Sequence, residues 1–243
     1  MVKQTSNWKS NSDEGISSDG ETQAIDAVPG LKDALIWMIQ REDSDGIFAK
    51  DNVTSPNGFS VKKISVFMEE YPELESAVKE FLFLHEIDTH YSNAARNVFQ
   101  LFQEEIITRQ RVKIQTMNGN KTDTTQYSLD DFPELRVELT KIIEEKDVST
   151  TKNDFSVAEI ALLIVKHPTL QSAINAFLFY EDFSKGGTTT IHTFHARLLE
   201  EIIRQQRQTL QTLEKKGGSS DKHIYLQRKF RKNYQGTLPW QEI

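Results

Sequence analysis

The sequence predicts an all-α protein built as two tandem four-helix up-down bundles from an internal duplication, flanked by disordered N- and C-terminal tails. Three observations predict it. The chain repeats itself over most of its length, its apolar residues recur at the helical period, and no stretch sustains the two-residue alternation of a strand. Short connections between amphipathic helices favour antiparallel neighbours, hence the up-down order.

The duplication is read directly from the residues. Phe59-Ser60-Val61 followed by Ile64 recurs as Phe155-Ser156-Val157 followed by Ile160, an offset of 96. At that offset Pro72, Leu74, Ser76, Ala77, Phe81, Leu82 and Phe83 match Pro168, Leu170, Ser172, Ala173, Phe177, Leu178 and Phe179. The register still holds at Glu104-Glu105-Ile106-Ile107 against Glu200-Glu201-Ile202-Ile203, and at Gln110-Arg111 against Gln206-Arg207. Upstream, Pro29, Leu31, Leu35 and Ile39 match Pro133, Leu135, Leu139 and Ile143 at an offset of 104. The first copy therefore carries eight extra residues in the loop before Phe59.

Each copy reads as four helices. The first has Leu31, Leu35, Met38 and Ile39 on one face, against Leu135, Leu139, Ile142 and Ile143, at the i, i+4, i+7, i+8 spacing of an apolar stripe. The second starts at Ser60 or Ser156, both residues that cap helix N-termini. It carries Val61, Ile64, Phe67 and Met68, or Val157, Ile160, Leu163 and Ile164. It ends before Pro72 or Pro168, because the residue preceding proline is pushed out of the helical region. Those prolines open the third helix, where a missing N–H costs little. Its apolar set is Leu74, Ala77, Val78, Phe81 and Leu82, matched by Leu170, Ala173, Ile174, Phe177 and Leu178. The fourth and longest shows Tyr91, Ala94, Val98, Phe102 and Ile106, or Phe194, Leu198, Ile202 and Ile203.

The domain plan follows. Residues 1–28 form an acidic tail with Lys3 and Lys9 against Asp13, Glu14, Asp19, Glu21 and Asp26, too poor in large apolar residues to fold. Repeat 1 spans 29–116, a linker rich in Asn, Thr and Asp spans 117–131, and repeat 2 spans 132–213. Residues 214–243 form a basic and aromatic tail.

Composition narrows the function classes. In 243 residues there is no cysteine, which removes disulfides, thiol catalysis and thiolate-bound zinc and points to a reducing compartment. No run approaches eighteen apolar residues, so no membrane span is expected, and the polar N-terminus lacks a signal's apolar core. A net charge of −7 argues against bulk nucleic-acid binding. No phosphate loop, nucleophile elbow or zincin motif occurs. Asp43-Ser44-Asp45-Gly46 places its glycine too early for a calcium loop and lacks the bidentate Glu. Glu104-Glu105 and Glu200-Glu201 are adjacent and point apart, so neither is an acid–base pair. His192 and His195, three apart, could share a helical face with Glu200 nearby, but Arg96 and Phe99 stand at the matching places of the first copy. The expectation is no enzyme: no catalytic residue, no cofactor and no metal.

Two local resemblances exist. Gln40-Arg41-Glu42-Asp43, Gly46-Ile47-Phe48-Ala49, Val53-Thr54 and Gly58-Phe59-Ser60 resemble the first helix end and long loop of a bromodomain. Asp88-Thr89-His90-Tyr91 with Ala94-Ala95 is similar to the start of that family's last helix. The resemblance implies a left-handed four-helix bundle that reads acetyl-lysine in chromatin. His85 stands where the family's anchoring asparagine would, and Leu84 where its tyrosine would, so no binding residue is carried over. Lys166-His167-Pro168-Thr169-Leu170, with Asn175, Phe177 and Leu178, is similar to the last half of a paired amphipathic helix domain, a corepressor module that takes a partner helix.

The expected function is a non-catalytic protein–protein interaction adaptor, a subunit of a multiprotein complex associated with chromatin or transcription. It would work inside the cell, in the nucleus rather than the cytoplasm. The runs Phe81-Leu82-Phe83-Leu84 and Phe177-Leu178-Phe179-Tyr180 are too continuous for one helix face. Phe83, Leu84, Phe179 and Tyr180 are therefore candidate partner-binding residues, together with Trp240 in the closing Leu238-Pro239-Trp240. One alternative is a nucleic-acid-associated protein whose arm, with Arg228, Lys229, Arg231 and Lys232, contacts phosphates or serves nuclear import. Another is a degenerate histone-peptide reader. Ser17-Ser18-Asp19-Gly20-Glu21 resembles an acidophilic kinase site.

Overall fold

The structure, a computed structural model, describes residues 25–45, 54–88, 92–119, 125–144, 156–185 and 189–216. Among the described residues it is all-helical, with eight α-helices of ten residues or more and no strand. They are α1 (Leu31–Asp45), α2 (Val61–Glu70), α3 (Pro72–Asp88), α4 (Ser92–Met117), α5 (Pro133–Glu144), α6 (Val157–Lys166), α7 (Leu170–Lys185) and α8 (Thr189–Lys216). A 3-10 turn, Leu129–Asp131, precedes α5.

The second helix of each copy is set by its serine. Ser60 Oγ accepts from the Lys63 backbone N–H at 3.2 Å. Ser156 Oγ accepts from the Glu159 N–H at 3.3 Å, and the Ser156 N–H donates to Glu159 Oε2 at 2.7 Å, closing a capping box. That backbone bond is the main reason the Glu159 carboxyl is held below its usual range. Ser156→Ala is expected to cost about 1 kcal/mol of second-unit stability, read as a lower urea midpoint at unchanged m-value. A midpoint equal to that of the parent would show the cap to be idle.

Helix ends follow the prolines. α2 stops at Glu70 and α6 at Lys166, and Pro72 opens α3. Pro168 departs from its counterpart, lying in a turn two residues ahead of α7. There the Leu170 N–H bonds to the His167 carbonyl and Gln171 to Pro168, both three residues back.

The described chain divides into two compact units, Met1–Val98 and Phe99–Ile243, and the division falls inside α4. In the first unit α2 packs on α3, and Asn97 Nδ2 of α4 donates to Glu42 Oε1 of α1 at 3.2 Å. Leu31, Leu35, Met38 and Ile39 are buried, with Ile64, Met68, Leu74, Val78, Leu82 and Val98. Ile25 and Val28, inside the segment read as tail, are buried as well. The eight-residue-longer loop ends in a tight turn. Gly58, at φ +78°, and the Ser55–Phe59 backbone bond of 2.7 Å fold it back on itself, and the Phe59 ring meets Phe67 edge-on.

In the second unit α8 lies along α6 and α5, while α7 packs on α5, α6 and the 3-10 turn. Leu135, Leu139, Ile142, Ile160, Ile164, Leu170, Ile174, Leu178, Phe194, Leu198 and Ile202 form its core. Residues 125–131, inside the stretch read as linker, are tied down. Thr169 Oγ1 donates to the Thr125 carbonyl at 2.9 Å and accepts from the Tyr127 N–H at 3.2 Å. The Tyr127 ring stands edge-on to His167 with centroids 4.5 Å apart, and Leu129 is buried.

Candidate functional site

α3 and α7 each bury one edge of an apolar run and turn the other outward. Leu82 and Leu178 are buried, and Phe81 and Phe177 are half-buried. The next two residues of each run point to solvent: Phe83 and Leu84 are 58% and 52% exposed, Phe179 and Tyr180 39% and 72%. A helix turns about 100° per residue, so four consecutive apolar side chains cannot share one face. The outward pairs stand at matching positions of the two copies, one in each unit. Isolated surface leucines and phenylalanines are ordinary, whereas paired exposure at the same register of a duplication is not.

The pair in the second unit has a polar neighbour. The Phe179 ring meets the His195 ring edge-on, with centroids 5.6 Å apart. His195, on α8, is 5% exposed, and its Nε2 lies 3.1 Å from Asn175 Oδ1 on α7. With the Asn175 oxygen as acceptor, Nε2 carries the proton and donates. Burial, and secondarily the charge of His192, push the His195 imidazole down to about 4, so it is neutral at physiological pH. Nothing in the spacing of His192 and His195 announced this, because the signal lies in Asn175, twenty residues away.

The other candidate groups are put to different uses. His195 faces inward and His192 outward, and among the described residues no three His, Cys, Asp or Glu side chains gather as a metal site. Glu201 is paired with Arg204, whose hydrogen bond holds its carboxyl below the usual range, and Glu104 accepts from Gln100 Nε2 at 3.2 Å. No described helix is long and apolar enough to cross a membrane. Trp240, Arg228, Lys229, Arg231 and Lys232 lie outside the described residues, as do Ser17 and Ser18. Of the bromodomain-like residues, Ala94 and Ala95 are buried in α4, while Gly46–Ala49 and Thr89–Tyr91 lie outside the described residues.

The chain matches no family model, and comparisons with curated proteins and with solved structures likewise return no match.

Proposed function

We propose that the chain is a non-catalytic adaptor, a subunit of a multiprotein complex, whose two copies each fold as a four-helix up-down bundle and present an outward apolar pair to partners. One observation carries the reading: Phe83 with Leu84, and Phe179 with Tyr180, are exposed at the same register of the duplication. Large aromatic and aliphatic side chains of this kind are the usual anchors of protein interfaces. The two helical resemblances, both to chromatin modules, favour a complex of chromatin or transcription in the nucleus.

The test is a tagged pull-down from native nuclear extract with nuclease present. The full chain is compared with Phe83→Ser/Leu84→Ser, Phe179→Ser/Tyr180→Ser, and a chain ending at residue 216. A stoichiometric set of proteins that survives nuclease and falls at least fivefold with either double variant is the expected result. Proteins held undiminished by both variants would remove the paired patches from the reading. Capture that vanishes with nuclease and with residues 217–243 would replace it with the nucleic-acid arm, whose binding should fall steeply with salt.

A further inference from the structure

The distal half of α4, from Phe99, belongs to the second compact unit although it closes the first copy of the duplication. Its apolar side is fully buried: Phe102, Ile106 and Ile107 are each 1% exposed or less. Two glutamines share that buried side and are badly matched there. Gln103 and Gln110 are 2% and 1% exposed, yet among the described residues Gln103 Nε2 and Gln110 Oε1 have no hydrogen-bond partner, nor has Arg111 Nε. Arg111 is tied to α7 through Nη2, which donates to Gln171 Oε1 at 2.7 Å, and burial lowers its guanidinium pKa below the ordinary value. Elsewhere in the unit the Oε1 atoms of Glu138 and Gln206 are also buried without a partner among the described residues.

A buried donor or acceptor left unpaired forfeits the hydrogen bond it would have in water. Three such atoms fall on residues 99–117 of α4, against one, Gln206 Oε1, on the whole of α8, so α4 carries the larger penalty. In the second copy Leu199 stands at the place of Gln103 and is 1% exposed, while Gln206 repeats the unpaired oxygen of Gln110. We infer that Phe99–Met117 is a releasable segment, held by its buried apolar side and by the Arg111–Gln171 bond but loosened by the unpaired polar atoms beside them, and that it opens while α6 and α8 stay folded. Local opening of this kind draws on the least stable packed element of a structure. Once open, the segment shows Phe102, Ile106 and Ile107 as an apolar helical face, a surface separate from the exposed pairs of α3 and α7.

Amide hydrogen exchange of the full chain, followed by mass spectrometry, tests this. Amides of 103–117 should exchange at least tenfold faster than those of 198–206 in α8, with little dependence on low urea. Gln103→Leu with Gln110→Leu should slow the first set at least tenfold and leave α8 unchanged. Exchange of both segments together, at the rate of global unfolding, would overturn the inference, as would a double variant that folds with the segment's rate unaltered. Should the double variant not fold, the comparison of the two segments in the parent chain decides alone.

Discussion

Replacing Phe194 with alanine should cost the second unit about 3–5 kcal/mol, whereas the same change at Phe179 should cost under about 1 kcal/mol. Both are phenylalanines of one compact unit, on the packed helices α8 and α7. Phe194 has no exposed surface, so truncation removes its transfer free energy and leaves a cavity that close-packed neighbours fill only in part. Phe179 is 39% exposed and its edge contact is with His195, so little is lost when it goes. Urea unfolding of both variants, with pull-down of the same proteins, separates the two roles. Phe179→Ala should keep its midpoint and lose partner; Phe194→Ala should lose its midpoint. Equal destabilisation by the two changes would show that Phe179 belongs to the core, and the outward pair of α7 would cease to be a candidate site.

The contrast between these two residues also marks what the sequence made legible. Phe194 belongs to a stripe at the 3.6-residue period with Leu198 and Ile202, and periodicity reports burial wherever one side of a helix is covered. The same logic identified the exposed pairs by excess, since the runs around Leu82 and Leu178 hold more apolar residues than one face accepts. Caps are local chemistry, and Ser60 and Ser156 stand where their following residues require. Long-range pairing leaves no such trace. Tyr127 and Thr125 meet Thr169 across more than forty residues, beside the turn at Pro168 that takes the place of the helical start at Pro72. The division within α4 is likewise invisible, because an unbroken helix has no local sign of which unit buries which half. The burial of Glu138 left no sign either: it lies beside the apolar stripe of α5 and is 2% exposed, with Oε2 taken by Lys141 at 3.2 Å. Its counterpart in the first copy is Ala34, fully buried.

Between pH 6.5 and 5 the second unit should lose stability, and His195→Phe should abolish most of that loss. Unfolded, His195 takes up a proton near its ordinary value of 6.5; folded, it resists protonation until about 4. The unfolded chain therefore binds more protons throughout this interval, and stability must fall as pH falls. The contribution is intact above pH 6.5, about 2 kcal/mol of it is gone by pH 5, and roughly 3 kcal/mol is gone below pH 4. Glu159 and Glu201, both held below the usual carboxylate range, lose their contributions only under pH 4.5, so the upper interval belongs to the histidine. Phenylalanine is the natural replacement because Phe99 fills the matching place in the first copy. Protonation need not break the hydrogen bond to Asn175, since Nε2 still donates from the imidazolium. What it adds is a charge on a ring that is 5% exposed, which burial first and His192 second oppose. Urea midpoints of the parent and His195→Phe at pH 7 and pH 5 therefore decide the matter. A parent midpoint flat across that interval, or an equal fall in both chains, would mean that the imidazole reaches water and that the Phe179 edge does not rest on a dry ring.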